Sequence, residues 1–431
     1  MLFMNADRIN KLLNIRANEW KVLAWAMLYV FSLFLAYYLL RPVRDELGVA
    51  GGVNNLPWLF SGTLVAMLIL TPVFSFLVKR FSRITVIKLS YHFFAAHLVV
   101  FFILLLPAFS EYRIWTGRVF FIWVSVFNLF VVSIFWSLIV DIFNPEQGLR
   151  LFGILSAGAT LGAMVGSLVT LMLVEIIDQR GLVLLAFLML ELSLLSAHHA
   201  VRHAESIKEE NGEIQRAERP LGGSVFAGIT HTLRSPYLSG IAVFMILYSL
   251  TSTFLYLEQA RIAASAFSDR AARTQFFATI DLWVNIFTLI AQLLLTSRTL
   301  KRLGISLTLA ILPLVTLAGF SLLLAFPSLI IFVVFQVVRR ISNFSFARPS
   351  REILFTRVNK EERYKSKNFI DTVVYRLGDQ LGSWSYAGLL NFSGSAGLLA
   401  YIAIPLSLIW LALSLWLGSK SPFIPLKSGG D

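Results

Sequence analysis

The sequence predicts an all-α membrane protein of about twelve transmembrane helices, and three observations carry that expectation. Hydrophobic residues fill 57% of the 431 positions and charged residues only 14%, against about a quarter in a soluble domain. The apolar residues fall in runs of roughly 18 to 25, the length that crosses ~30 Å of hydrocarbon at 1.5 Å per residue. The runs lack the apolar/polar alternation over ~10 positions that marks a membrane barrel strand, so helices, which satisfy their own backbone amides, are left as the way to span lipid.

The N-terminal segment, MLFMNADRINKLLNIRANEWK, is polar and weakly amphipathic. It lacks an apolar core followed by a small-residue cleavage site, so its removal is not expected. Spans are then read near 20–40, 57–78, 84–106, 115–141, 151–175, 182–200, 237–259, 274–297, 304–325, 328–356, 366–391 and 395–417. The polar stretch from Val201 to Pro236 separates six spans from six and reads as a linker. The expected organisation is therefore a six-helix bundle over 1–200, a cytoplasmic linker over 201–236 and a second six-helix bundle over 237–431. If the N-terminus is inside, the inside loops hold 24 of the 37 Lys and Arg, whereas the outside loops hold five: Arg113, Arg118, Arg180, Arg270 and Arg273. That bias places both termini in the cytoplasm, and a bacterial inner membrane is the expected location. The bias also accounts for the net charge of +13, so no nucleic-acid partner is expected.

An internal repeat runs through the chain. Asn144-Pro-Glu-Gln-Gly-Leu-Arg150 precedes Gly162, Gly166 and Ser167, and Asn359-Lys-Glu-Glu-Arg363 precedes Gly378, Gly382 and Ser383. The loops LVKRFSRITVIKL and LTSRTLKRLGISL are each a basic cluster that opens the following span, and both resemble a degraded loop motif of the major facilitator superfamily. The resemblance implies two parallel repeats with a substrate site between the halves near the midplane.

Charges inside spans cost ~2.5 to 3.5 kcal/mol each and need a cavity or a partner. Arg41 and Arg44 stand three residues apart around Pro42. Span seven ends in Glu258 and Arg261, span eight carries Asp281 and Gln292, and span eleven carries Asp371, Arg376 and Asp379. Span ten holds Arg339, Arg340, Arg348, Arg351 and Glu352, with positions 340, 344, 348 and 351 on one stripe at helical spacing. Asp141, Arg150, Arg357 and Lys360, at the cytoplasmic edge, suit snorkelling or a closed ion pair. His92, His97 and Glu191 stand isolated in their spans and suit packing. Arg44, Glu258, Arg348 and Arg351 recur on spans one, seven and ten, and their surplus of guanidinium suits an anionic small molecule gripped by a forked donor. Glu258 is expected to pair with one of these arginines when no solute is bound.

The chain holds no cysteine and no Walker, His-Glu-x-x-His, Gly-x-Ser-x-Gly or Gly-x-Gly-x-x-Gly motif. Neither enzyme chemistry nor a cofactor is expected. Leu40-Arg-Pro-Val-Arg-Asp45, Leu257-Glu258, Ser350-Arg-Glu352 and Lys365-Ser-Lys-x3-Asp371-x4-Arg376-Leu-Gly378 resemble motifs of the ATP/ADP translocases, the nucleotide transporters of plastids and intracellular bacteria. The resemblance implies that Arg44 and Arg351 stand where that family has substrate-binding lysines, and Glu258 where it has a functional glutamate. The family's span-four carboxylate has only Asn128 near its place here. The expected substrate-binding set is Arg41, Arg44, Asn128, Glu258, Arg348, Arg351, Asp371 and Arg376. Three readings stay open: alternating-access exchange of an organic anion such as ATP or ADP by a monomer, proton-coupled transport of another solute with Glu258, Asp281 and Asp371 as proton carriers, and a non-transporting membrane scaffold or sensor.

Overall fold

The computed structural model describes residues 16, 19–81, 83–143, 145–210, 227–358, 360–393 and 397–420. The N-terminal segment 1–15, Asn144 and Asn359 of the paired motifs, the middle of the expected linker (211–226) and Lys427 lie outside the described residues. The helices are α1 (Trp20–Ala50), α2 (Leu56–Arg80), α3 (Arg83–Leu104), α4 (Arg113–Ile142), α5 (Pro145–Glu210), α6 (Ala227–Arg234), α7 (Pro236–Ala266), α8 (Arg270–Leu294), α9 (Thr296–Ala325), α10 (Leu329–Ser342), α11 (Arg348–Leu354), α12 (Lys360–Phe369), α13 (Tyr375–Ser393) and α14 (Gly397–Ser419). The expected linker is helical at both of its described ends, where α5 runs on to Glu210 and α6 occupies Ala227–Arg234.

Among the described residues, ten helical stretches are long and apolar enough to cross a bilayer. Two features separate this number from the twelve spans read in the sequence. The 66 residues of α5 would extend roughly 100 Å if straight, three times a hydrocarbon core. At Asp178 the backbone leaves the helix with φ 57° and ψ −179°, and this break divides the fifth span from the sixth. The eleventh span, over α12 and α13, is too polar to meet an apolar criterion because it carries Lys365, Lys367, Asp371, Arg376 and Asp379. The second break of this kind lies at Gly304 (φ 70°) inside α9, where the absence of a side chain makes the left-handed backbone accessible.

The chain forms two compact units. The first comprises Met1–Gly51, Gly62–Glu218 and Phe267–Leu282, and the second Gly52–Ser61, Arg219–Ala266 and Trp283–Asp431. The division is not a single cut at the linker, since Gly52–Ser61 goes with the second unit and Phe267–Leu282 with the first.

The core of the first unit gathers Tyr29, Leu33, Ala36, Leu40 and Val43 of α1 with Phe127, Val131 and Phe135 of α4 and Leu151, Leu155 and Leu190 of α5. Tyr29 and Tyr91 share a buried hydrogen bond of 2.7 Å between α1 and α3. The core of the second gathers Leu238, Ile241 and Met245 of α7 with Leu309 and Leu312 of α9, Leu354, and Trp410 and Leu417 of α14. Hydroxyls inside these apolar helices donate to carbonyls four residues back, as in Ser32 to Leu28, Ser167 to Ala163 and Thr308 to Gly304. They are thereby satisfied without water. Large apolar side chains such as Leu68, Ile69, Phe76, Ile176 and Leu293 stay exposed, as suits a surface facing lipid rather than water.

The paired glycines of the repeat mark the same event in each unit. A methyl group at Gly162 would overlap the Phe31 carbonyl oxygen, and one at Gly166 would come within 2.8 Å of the Leu35 carbonyl oxygen. At Gly378 it would meet the Ile246 carbonyl oxygen at 3.1 Å, and at Gly382 the Leu250 carbonyl oxygen at 2.9 Å. The start of α5 thus lies against α1, and α13 against α7, backbone to backbone, the approach that small residues four apart permit within membranes.

At one end of the first unit, Arg150 of α5 grips Glu19 with two hydrogen bonds of 3.1 and 2.7 Å. This is the closed ion pair expected of an edge arginine. Burial pushes the Glu19 carboxyl up, but Arg150, the Arg16 backbone N–H and Gln147 outweigh it and hold the group below its usual 4.5. Arg357 likewise donates to the Lys420 carbonyl oxygen and lies over the Tyr237 ring. His92 and Glu191, read as isolated, face each other at 3.6 Å, a pairing across α3 and α5 that hydropathy cannot register.

Candidate functional site

The expected site residues fall into two sets, one in each unit. In the first unit Arg41 and Arg44 occupy successive turns of α1 around Pro42. Arg41 Nη1 meets Asp281 Oδ1 of α8 at 2.8 Å, with its guanidinium 5.7 Å from the Tyr38 ring centre. Arg44 donates through Nε and Nη2 to Asp45 Oδ1 at 2.9 and 2.6 Å and stacks 5.1 Å over Phe121 of α4. Asn128 is half-buried on α4, seven residues beyond Phe121 and so on the same helix face.

In the second unit the motifs that stood apart in the sequence meet. Ser350-Arg-Glu352 docks on Lys365-Ser-Lys-x3-Asp371 through two ion pairs, Arg351 Nη2 with Asp371 Oδ1 at 3.0 Å and Lys367 Nζ with Glu352 Oε2 at 2.5 Å. Arg351 Nη1 also points at the Met245 sulfur. Arg351 Nε and Asp371 Oδ1 are buried and make no hydrogen bond, so this pair is matched in charge without being satisfied in hydrogen bonding. Arg376 pairs with Asp379 at 2.9 Å, and Asp379 also accepts from Ser249 at 2.5 Å and Thr253 at 3.2 Å. Glu258 Oε2 accepts from Tyr386 at 2.7 Å and lies 4.0 Å from Arg261. The expected partner for Glu258, one of the arginines at 44, 348 or 351, is thus replaced by a phenol from α13 and the arginine one turn along its own helix.

The stripe expected at 340, 344, 348 and 351 does not survive as drawn. Asn343–Ala347 forms a π-turn, which adds about one residue to the repeat and rotates everything after it. Arg348 is exposed on the far side of this turn, whereas the Arg351 side chain keeps only 11% of its surface. A second π-turn, Ile370–Val374, contains Asp371. The Arg351–Asp371 pair therefore joins a residue just past one wide turn to a residue inside the other, and π-turns of this kind are frequent at functional positions.

Asp45, Asp379 and Tyr386 were not in the expected set, although each proves to be the partner of a residue that was. Direct adjacency of Arg44 and Asp45, and the i,i+3 spacing of Arg376 and Asp379, were signals available for two of them. Arg339 is the clearest buried cation. Its guanidinium donates to Thr316, Ser252, Thr251 and the Tyr248 carbonyl at 2.8 to 3.2 Å and lies over the Tyr248 ring. The guanidinium surplus read from the sequence is smaller in the structure, because Arg41, Arg44, Arg351 and Arg376 each have a carboxylate partner.

Comparison with known proteins fits this architecture. Over 478 residues the chain is 20% identical to ADP,ATP carrier protein 2 of Chlamydia pneumoniae, covering 91% of this chain and 88% of that one. Among solved structures it is similar to a D-xylose-proton symporter, with a TM-score of 0.63 at 11% identity over 95% of this chain and 100% of that one. It is also similar to the nucleoside transporter NupG, with a TM-score of 0.57 at 14% identity over 94% and 98%. The profile of the Major Facilitator Superfamily matches residues 22–350, more than half of the chain. With its all-helical membrane fold and its distant kinship to ADP,ATP carriers, the chain belongs to the Major Facilitator Superfamily and is a transporter of that type.

Proposed function

We propose that this transporter exchanges an organic anion, a nucleotide such as ATP or ADP, across a bacterial inner membrane by alternating access. In this reading it acts as a monomer with both termini in the cytoplasm, built as bundles over 1–200 and 237–431 joined by 201–236. The binding set is Arg41, Arg44, Asn128, Glu258, Arg348, Arg351, Asp371 and Arg376. The observation that carries the reading is the Arg351–Asp371 pair, in which charges meet at 3.0 Å while Arg351 Nε and Asp371 Oδ1 stay unbonded. A phosphate group carries about −1.5 to −2 charges and three acceptor oxygens. It competes for that guanidinium with a singly charged carboxylate on both counts. Displacement of Asp371 then frees the π-turn that holds it, which couples occupancy to helix movement. The kinship to ADP,ATP carriers supports the nucleotide as guest.

The test is uptake of labelled ATP into proteoliposomes loaded with ADP. Wild-type protein is expected to exchange the two, and Arg351→Ala to lose at least tenfold in uptake while eluting as a folded species in detergent. Absence of ATP or ADP uptake and of counterflow in the wild type would refute the nucleotide reading. A second reading, proton-coupled transport of another solute, draws on the Glu258–Tyr386 hydrogen bond, which holds a carboxylate within a span. An imposed pH gradient separates the two, because strict exchange is indifferent to it.

A further inference from the structure

The charge bias of the loops leaves five arginines in the sparse set, and the structure gathers them at one end of the first unit. Arg113 and Arg118 lie on the first turns of α4, Arg180 follows the reversal in α5, and Arg270 and Arg273 open α8. The elements are tied together there. Glu46 of α1 accepts from Arg273 at 2.9 Å and from Gln179 at 2.5 Å, Gln179 also reaches Thr274, and a methyl group at Gly51 would come within 3.9 Å of the Arg118 side chain. Arg113 is within Coulombic reach of Arg270 and Arg180, and of Glu46 and Asp178. Four acids nearby are already engaged, Glu46 as above, Asp178 by Arg180 at 2.8 Å, Asp269 by the Ala272 N–H and Glu175 by Gln275, while Glu111, two residues before Arg113, is exposed.

Four guanidinium nitrogens at this end, Arg113 Nε, Arg118 Nε, Arg270 Nη1 and Arg273 Nε, are buried and make no hydrogen bond among the described residues. Like charges brought together with donors turned inward are doubly unfavourable, by mutual repulsion and by lost hydration. Membrane topology does not require them, since it depletes arginine from these loops. One kind of guest relieves both costs, an anion with several acceptor oxygens, and the positive N-terminal ends of α4 and α8 add to its attraction.

We propose that this end of the first unit is a binding site for a phosphate group, held by Arg113, Arg180, Arg270 and Arg273, and distinct from the Arg351–Asp371 pair of the second unit. The phosphate belongs either to a free phosphate compound or to an anionic lipid headgroup, and the site does not depend on the solute transported.

Thermal unfolding of the purified full chain, with pyrophosphate as probe, tests it. In detergent, pyrophosphate is expected to raise the unfolding midpoint of the wild type and of Arg351→Ala alike. Arg113→Gln/Arg270→Gln is expected to require at least tenfold more for the same shift. In nanodiscs, a response in phosphatidylcholine that disappears in phosphatidylglycerol identifies the lipid headgroup as occupant, and a response in both identifies the free compound. If the double variant does not insert, Arg180→Gln reads the same effect at a side chain a third exposed. An undiminished response in the arginine variants, a response lost in Arg351→Ala, or no response of the wild type in any medium would overturn the proposal.

Discussion

Alanine at Gly162 and alanine at Gly153 are the same chemical change on the same helix, and the structure assigns them opposite consequences. At Gly153 a methyl group meets nothing within 4 Å, whereas at Gly162 it overlaps the backbone of Phe31 on α1. Both substitutions gain the helical preference of alanine over glycine, about 1 kcal/mol. Gly162→Ala also forces the α1–α5 seam apart, and overpacking of this kind costs about 1–3 kcal/mol. Gly153→Ala is therefore expected to stabilise by up to ~1 kcal/mol, and Gly162→Ala to lie ~1–3 kcal/mol below it. At 2–4 °C per kcal/mol for a unit of this size, the midpoints should differ by roughly 2 to 12 °C. Thermal unfolding in detergent, followed by tryptophan fluorescence at equal protein concentration, measures the difference. Gly382→Ala, at the matching seam against Leu250, is expected to behave like Gly162→Ala. If Gly153→Ala and Gly162→Ala move the midpoint equally in the same direction, the backbone-to-backbone seam does not exist as described.

Asp281→Leu leaves the Arg41 guanidinium without its charge partner and is expected to cost about 3–5 kcal/mol, whereas Arg41→Leu/Asp281→Leu should be near neutral; chemical denaturation of the four corners of the double-mutant cycle decides. Glu19 has a folded pKa below its unfolded value, so its contribution to stability is full above about 4.5 and is lost as pH falls through the folded value. Unfolding midpoints measured from pH 6 downward should show that loss, and Glu19→Gln should remove it. Gly304→Ala is expected to destabilise by ~1–2 kcal/mol because φ is 70° there. Asp178→Gly, at φ 57° and with its exposed ion pair to Arg180 worth little, should stabilise. Thermal shifts of opposite sign would bear both out.

Much of the fold was legible because the bilayer writes its demands locally. A span is a run of about twenty apolar residues, and its identity needs no knowledge of the other spans. The small-residue seams were legible as a repeat, Gly162 and Gly166 against Gly378 and Gly382, because close helix approach leaves the same residue types at the same spacing in each half. The spans that resisted hydropathy are instructive. Asp178 turns the chain within an unbroken helical pattern, and the eleventh span hides behind the charges of α12 and α13.

The candidate residues were legible as residues, because a charge in a span is conspicuous. Their partners were not. Arg41 and Asp281 are 240 positions apart, Glu46 and Arg273 227, and no periodicity connects them. The stripe on span ten failed for a narrower reason, since a π-turn inserts a residue into the count without leaving a mark in composition.

The sequence alone determined that this chain spans a membrane with helices, where most of those helices lie, and which of its charges stand inside spans. Each of these follows from the cost of exposing backbone and charge to hydrocarbon, which one segment incurs by itself. Only the tertiary structure decided which carboxylate neutralises which guanidinium, and that the loop arginines converge at one end of a unit. Those outcomes depend on which helices become neighbours and in what rotation, and that is settled by packing of the whole unit.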